Sequence, residues 1–384
     1  MAHAYLDNAA TTPVAPEVVE AMVEVYRSVH GNPSSTHAPG RKAKALVETS
    51  RRNIAGLLGV PSRTICFTSG GTEADNHAIQ AAVQCLGVTR IVTSAAEHSA
   101  VIRAAEAAEG KWNVEVSHVG HQADGRVDLE DLEAQLAQTE KKTLVSLMHA
   151  NNEVGVMLNL EAVSALCRRH GALFHSDTVQ SMGHYLLDLG TIDIDFLTCS
   201  AHKLHGPKGV GFLYINPQLR IDGMIVGGGQ ERMLRGGTEN VAGIVGLVRA
   251  FAHAHEHMGD HASHVRRMKQ RMADGLKKRF PAVVFNGDSD REDRLYTVLN
   301  VKFPEHPNGG MAVFLLDLEG VACSGGSACS SGATMGSHVL RALGFHDPNR
   351  ASIRFSFSRY TSEADIDLAL DAVDKVFAPA EEAS

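Results

Sequence analysis

The chain has 384 residues, of which 44% are apolar and 21% are charged; 36 basic side chains stand against 44 acidic ones, for a formal net charge of −8. This length exceeds what one hydrophobic core usually supports, so we expect two domains. Because the chain is slightly acidic and has no basic cluster, we expect no nucleic-acid partner. No apolar run approaches the roughly 18 residues of a membrane-spanning helix, so we expect no membrane association.

The first residues and the cysteines indicate the compartment. The opening sequence MAHAYLDNAATTP lacks the charged start and apolar stretch of a secretory signal. The six cysteines show no spacing typical of a disulfide framework. We therefore expect a cytoplasmic protein in a reducing environment.

Short apolar segments alternate with helical patterns between about residues 60 and 215. The candidate strands are 64–68, 90–94, 114–119, 143–149, 172–177, 195–200 and 210–215. The helical patterns between them are 73–86, 99–109, 128–138 and 160–170. This alternation predicts an α/β domain with a mostly parallel, seven-stranded sheet.

The second half of the chain has a different pattern. A long helical pattern, 241–279, is followed by apolar segments and a last helix that begins with a predicted capping box, at 296–303, 312–320, 353–358 and 362–377. We interpret this part as a smaller α+β domain. The predicted division is a large domain at 14–255 and a small domain made of 1–13 and 256–384.

Ligands of parallel sheets bind at the carboxyl ends of the strands, so the residues that follow each strand are the candidates for a site. The first strand is followed by SGGTEADN, residues 69–76, in which glycines lead into a helix. Free backbone N–H groups at such a helix start can hold a phosphate, although a plain tight turn would look the same. The stretch matches neither GxxxxGK[ST] nor GxGxxG, which argues against nucleotides.

Polar side chains follow four further strands. They are His98; Asn151 and Asn152; Asp177 and Gln180; and Ser200, His202 and Lys203. Each of them alone is more often structural than functional. Together with the phosphate cradle they fit pyridoxal 5′-phosphate, whose aldehyde needs a lysine, whose ring nitrogen needs a carboxylate and whose phosphate needs N–H and hydroxyl donors.

Nine motifs resemble those of the NifS/IscS group of cysteine desulfurases, which are fold-type I pyridoxal-phosphate enzymes of aminotransferase class V. These motifs are LDNAATTP, TSGGTEADN, EHSAV, ANNEVG, SDTVQS, SAHKLHGPKG, RGGTEN, SGGSACSSG and IRFSFSRYT. They occur in order along the chain, and the resemblance runs from residue 5 to about residue 375. The resemblance implies an enzyme that converts L-cysteine to L-alanine.

The resemblance also implies a role for each matching residue. Lys203 would carry the cofactor, Asp177 would pair with its ring nitrogen, Gln180 would bond its hydroxyl group and His98 would stack on its ring. The phosphate would be bound by Gly71, Thr72, Ser200 and His202, and by Thr238 reaching across a homodimer. Asn152 and Arg354 would bind the substrate carboxylate, for which the planar fork of arginine is suited.

Small residues dominate CSGGSACSSGATMGS, residues 323–337, which predicts a mobile loop carrying a thiol. The resemblance identifies Cys329 as the nucleophile that takes the sulfur as a persulfide and passes it to an acceptor, such as an iron–sulfur scaffold protein. A metal or redox pair of Cys323 and Cys329 is disfavoured by the spacing. The group that activates Cys329 is left open. We interpret the four other cysteines as small apolar fillers, at 66, 85, 167 and 199.

Several alternatives remain beside this hypothesis. The nearest is selenocysteine lyase-like activity on the same scaffold. A cofactor-free thiol hydrolase would leave Lys203 and Asp177 unexplained, and a non-catalytic sulfur relay would lack one of the key groups. The stretch 253–264 contains His253, His257 and His261 on one helix face. For it we favour a solvated face over a metal site, and we expect no metal in this protein.

Overall fold

The computed structural model describes residues 3–325 and 336–377. The strands of these ranges are β1 (Ala4–Tyr5), β2 (Ile65–Thr68), β3 (Arg90–Thr93), β4 (Glu115–His118), β5 (Thr143–Ser146), β6 (Leu173–Asp177), β7 (Phe196–Ser200), β8 (Gly211–Ile215), β9 (Val284–Phe285), β10 (Val298–Lys302), β11 (Val321–Ala322), β12 (Ser324–Gly325) and β13 (Ser352–Ser356). The helices are α1 (Pro16–Ser28), α2 (Ala38–Leu57), α3 (Gly71–Gln84), α4 (Ser99–Trp112), α5 (Leu129–Ala137), α6 (Leu160–Arg169), α7 (Val241–Glu256), α8 (Met258–Arg279), α9 (Ala312–Leu318), α10 (His338–Ala342) and α11 (Glu363–Val376).

A seven-stranded sheet has the order β2-β8-β7-β6-β5-β3-β4. Strand β8 runs antiparallel to both of its neighbours, and the other pairs are parallel. The predicted mostly parallel sheet is therefore confirmed. Every residue of β2, β3, β5, β7 and β8 is buried, which explains why these strands appear in the sequence as continuous apolar runs.

Helices cover both faces of this sheet. Neighbouring residues of one strand belong to different hydrophobic clusters, because successive side chains of a strand point to opposite faces. Cys66 packs in a cluster with residues of α3 and α4, whereas Phe67 packs in a cluster with residues of α2 and α7. The arrangement is the helix–sheet–helix sandwich expected of an α/β domain.

A second, antiparallel sheet has the order β12-β13-β10-β9, and β1 pairs in parallel with β11 beside it. A separate hydrophobic cluster joins these strands to α8, α9 and α11, and it includes Leu6 from the N-terminal segment. Helix α11 begins with the predicted capping box, in which Ser362 and Asp365 bond each other's backbone. The predicted division into a large and a small domain stays a prediction. The two separate hydrophobic clusters support it.

The structure differs from the sequence interpretation in three respects. The long pattern at 241–279 is two helices, because the backbone of His257 leaves the helical region between α7 and α8. The apolar segment at 312–320 contains the short helix α9. Helices α1 and α2 were not predicted.

The thiols occupy different environments. Cys66, Cys167 and Cys199 are buried, as expected of apolar fillers, but Cys85 is only half-buried and its Sγ accepts a hydrogen bond from the N–H of Asp222. Cys329 lies outside the described residues. A search of the described residues for helices long and apolar enough to cross a membrane finds none.

Candidate active site

The carboxyl ends of five strands surround a cavity of about 420 Å³, a size typical of small-molecule sites. The predicted residues that line it are Gly71, Thr72, His98, Asn152, Asp177, Gln180, Ser200, His202, Lys203 and Arg354. The first nine lie at or after the carboxyl ends of β2, β3, β5, β6 and β7, whereas Arg354 comes from β13 of the second sheet. The predicted convergence of these side chains is thus observed, while their individual roles stay predictions.

Lys203 ends a single helical turn after β7, so its side chain is fixed at the cavity. Its Nζ donates to the carbonyl oxygens of Ala9 and Ala10 at 2.5 and 2.7 Å. Burial lowers the pKa of this amine to about 8, and the positive charge of Arg354 contributes. A neutral amine, which can act as a nucleophile or base, is therefore accessible near neutral pH.

Asp177 is the last residue of β6, and its Oδ1 accepts the N–H of Val179 at 2.8 Å. Burial raises the pKa of Asp177 to about 7, with a further contribution from the carboxylate of Asp75. Burial raises the pKa of Asp75 to about 7 as well. Such carboxyl groups gain from a cationic or proton-donating ligand, because an unpaired buried charge is costly.

His98 is the N-cap residue of α4, where its Nδ1 accepts the N–H of Ala100 at 3.2 Å. Desolvation lowers the pKa of His98, and the charge of Lys203 contributes. The positive end of the helix dipole also disfavours a charged ring. A neutral imidazole therefore lines the cavity.

The part of the cavity at the start of α3 is suited to an anion. Gly70 has φ 153° and ψ −174°, a backbone conformation open essentially to glycine, and it precedes α3 without a side-chain cap. A Cβ at Gly71 would lie 2.9 Å from the side chain of Val179 and 3.7 Å from Ser200. Val179 thus packs closely against Gly71, whereas a Cβ at Gly70 would meet only the Ser200 hydroxyl, at 3.7 Å, so the positive end of α3 is open beside this hydroxyl.

Arg354 places a cation in the same cavity. Its Nη1 donates to the carbonyl oxygen of Asn152 at 2.9 Å, and its Nη2 donates to Oδ1 of Asp7 at 2.8 Å. Its Nε and Oδ1 of Asn152 are buried and have no hydrogen-bond partner in the described residues. The unpaired Nε–H of Arg354 is suited to a ligand carboxylate, and Oδ1 of Asn152 is suited to a ligand N–H donor.

A metal ion would also find suitable spacing here. Ligand atoms of Asp75, His98 and Asp177 all lie within 4.8 Å of one another. The expectation of no metal therefore stays a prediction. Away from the cavity, the rings of His253, His257 and His261 lie 4.5–5.8 Å apart, half-buried rather than on a fully solvated face.

The structure adds residues that sequence reasoning missed. Ala9 and Ala10 of the LDNAATTP motif line the cavity, although the motif was noted without a role. Asp75 also lines it. Asp75 lies four residues after Gly71 on α3, about one helical turn away, so the two residues share a helix face. This spacing could have identified Asp75 from the sequence. Thr238 does not line this cavity in its own chain but is exposed beside a separate one.

Residues 4–369 match the family model described as aminotransferase class V. A curated cysteine desulfurase from Gluconacetobacter diazotrophicus is 41% identical, over 99% of this chain and 94% of its own length. A solved structure of a NifS-like protein has a TM-score of 0.89 at 34% identity, covering 98% of this chain and 99% of that one. Another, described as SspA in complex with cysteine, has a TM-score of 0.80 at 31% identity, covering 94% of this chain and 100% of that one. The chain belongs to the aminotransferase class V family, in the group of the cysteine desulfurases.

Proposed function

We propose that this chain is a pyridoxal-phosphate-dependent cysteine desulfurase that converts L-cysteine to L-alanine and holds the sulfur on Cys329. The observation that carries the proposal is one cavity lined by Lys203, Asp177 and Arg354 together with the anion cradle at Gly71. The relative solved in complex with cysteine and the curated desulfurase support the same substrate.

The residues present fit pyridoxal 5′-phosphate. The glycine-rich start of α3, which lines the cavity beside Ser200, suits the phosphate, and the buried carboxyl group of Asp177 suits a protonated ring nitrogen. The other residues that would hold the cofactor are Thr72, His98, Asn152, Gln180, Ser200, His202 and Lys203. When bound, it supplies an electron-withdrawing ring that stabilises negative charge at the substrate Cα.

The protein groups then act on the substrate. Arg354 and Asn152 bind the substrate carboxylate and orient its Cα. The neutral amine of Lys203 takes the Cα proton and later returns a proton to the alanine carbon. His98, held neutral, is within the same cavity and can receive or supply a further proton.

Sulfur transfer requires the thiolate of Cys329. Its attack on the substrate sulfur forms an S–S bond and breaks the C–S bond, whose electron pair stays with the carbon that becomes alanine. The enzyme is left as a Cys329 persulfide. A second thiol, from an acceptor protein such as an iron–sulfur scaffold, then removes the outer sulfur by thiol exchange.

The quaternary structure and compartment belong to the same proposal. A homodimer is supported by exposed Thr238, and by Val226 and Met233, which are 93% and 76% exposed in the single chain. Apolar side chains so exposed within one segment are typical of an interface. We also propose a cytoplasmic location, which suits a persulfide carrier.

The test is the release of alanine from L-cysteine by the purified, cofactor-loaded protein in the presence of a reductant. The native protein should form alanine catalytically, Cys329→Ala should form little, and Cys85→Ala should match the native rate. Absence of alanine from the native protein, with bound cofactor verified by its visible absorbance, would contradict the proposed function.

A further inference from the structure

The N-terminal segment LDNAATTP, residues 6–13, forms one wall of the cavity. Its carbonyl oxygens bind two of the residues proposed to hold the cofactor: Ala9 accepts from Lys203 and from Nε2 of Gln180, the latter at 3.0 Å. Thr12 Oγ1 donates to the carbonyl oxygen of His202 at 2.9 Å. The segment therefore bonds the side chains and backbone of the site at several points, yet only one of its residues brings a charge.

That residue is Asp7, which contacts the second sheet. Its Oδ1 accepts from Nη2 of Arg354 at 2.8 Å and from Oγ of Ser324 at 2.7 Å. Ser324 and Arg354 are directly opposed partners in the β12–β13 pair. One carboxylate oxygen thus binds both members of a cross-strand pair, and the serine fixes the position of the oxygen.

The contacts of Arg354 determine which part of its guanidinium remains available. Asp7 and the carbonyl of Asn152 each bind one Nη atom, which fixes the plane of the fork, while Nε has no partner in the described residues. The Arg354 side chain is 10% exposed and that of Asp7 is 21% exposed, so screening by water is limited. A guanidinium with a fixed plane presents its remaining N–H groups to a carboxylate at little entropic cost.

The charge of Asp7 also bears on Lys203. Arg354 lowers the pKa of Lys203, whereas Asp7 raises it. Asp7 therefore compensates part of the repulsion between two cations that share the cavity. Loss of this carboxylate would leave Arg354 more mobile and would increase the repulsion between Arg354 and Lys203.

We propose that Asp7 is a positioning residue that gives this site its selectivity for substrates with an α-carboxylate, by fixing the guanidinium of Arg354. This inference rests on the proposed function, since it concerns recognition of L-cysteine in the same cavity. Ser324 supports Asp7 by holding the shared oxygen.

The test compares L-cysteine with cysteamine, which has the same thiol and amine but no carboxylate. All proteins carry Cys329→Ala to prevent turnover, and dissociation constants are measured from the change in the visible absorbance of the bound cofactor. Asp7→Ala should weaken L-cysteine binding by about ten- to hundredfold, the range for hydrogen bonds to charged groups, and should change cysteamine binding less than about threefold. Ser324→Ala should give a smaller loss in the same direction.

Two controls separate positioning from general damage. Asp367→Ala removes a carboxylate that pairs with Arg271 away from the cavity, and it should leave both dissociation constants unchanged. Asp7→Asn keeps the side-chain shape and serves if Asp7→Ala does not fold; it should lose selectivity in the same direction. In an Arg354→Ala background, Asp7→Ala should change the dissociation constant for L-cysteine less than about twofold, because Asp7 acts on the substrate only by positioning Arg354.

Equal losses for L-cysteine and cysteamine, or a full effect of Asp7→Ala without Arg354, would overturn the inference. If the parent protein binds neither compound, the proposed function fails instead. The two failures are therefore distinguishable.

Discussion

Carboxylate oxygens of Asp75 and Asp177 lie within 4.8 Å of each other in the buried part of the cavity. Two carboxyl groups at such a distance, away from water, disfavour each other's charge. Oδ1 of Asp75 also lies 3.5 Å from Nε2 of the buried His175. Near neutral pH this pair of carboxyl groups therefore retains a proton that isolated carboxyl groups would have lost.

Asp75→Asn should lower the pKa of Asp177, because the substitution removes a nearby negative charge. Asp177 would then stay ionised at lower pH and continue to bind a protonated ring nitrogen there. We expect the pH below which the cofactor affinity falls to decrease by about one unit. The measurement is the cofactor dissociation constant between pH 5 and 8, and an unchanged profile would show that the two carboxyl groups do not interact.

The pH dependence of cofactor uptake should report on Lys203. Since burial lowers the pKa of its amine to about 8, the neutral fraction rises with pH up to about 8 and then levels off. Uptake by the cofactor-free protein should follow this curve, rising about tenfold per unit well below pH 8. A rate that continues to rise beyond pH 9 would indicate an ordinary lysine, whose pKa lies near 10.4. Stopped-flow absorbance provides the rate.

Gly71→Ala should weaken cofactor binding about tenfold, because the added methyl group would lie 2.9 Å from Val179, whose branched side chain has little freedom. The matched control is Gly110→Ala in α4, where a Cβ would meet nothing within 4 Å. That substitution should stabilise the protein by about 0.5–1 kcal/mol without changing cofactor affinity. Equal affinities for the two variants would contradict the assignment of the cradle.

A buried ion pair fixes a strained segment. Glu231 accepts from Nη1 and Nη2 of Arg51 at 2.6 and 2.8 Å and from the N–H of Phe67 at 2.9 Å. Glu231, Arg232 and Met233 all have positive φ, at 46°, 58° and 68°, which costs free energy in residues other than glycine. These contacts hold the strained turn, five residues before Thr238, against β2.

Glu231→Ala should lower the free energy of unfolding by about 3 kcal/mol, because it removes the buried partner of the Arg51 charge and leaves only the more exposed Glu48 beside it. Removing one partner of an exposed pair, with Glu106→Ala beside Arg103, should change the stability little. Urea denaturation monitored by circular dichroism gives both values. Similar effects of the two substitutions would show that the buried pair does not hold the segment.

The large sheet was predictable because most of its strands are buried on both faces and stand out as short apolar runs between helices. The segment 312–320 was not, since a short apolar run does not distinguish a strand from a buried helix. Helix α9 contains only seven residues, too few to show a clear period. The break at His257 was not predictable either, because no proline marks it in the sequence.

The site was predictable where its residues follow strands of one sheet, as Asp177 and Lys203 do. The contact between Asp7 and Arg354 was not, because it joins residues 347 positions apart in the chain. Asp75 could have been found from helical periodicity after Gly71. The role of the Ala9 and Ala10 carbonyl oxygens could not, since any residue offers the same backbone group.

The most direct test of the account is the location of sulfur after a single turnover. The cofactor-loaded protein receives one equivalent of L-cysteine without reductant, and peptide fragmentation by mass spectrometry locates the added sulfur. We expect one sulfur atom on Cys329 and one alanine per site, unchanged by Cys323→Ala and abolished by Cys329→Ala. Alanine formed with the sulfur on another residue, or with no sulfur bound to the protein, would contradict the account.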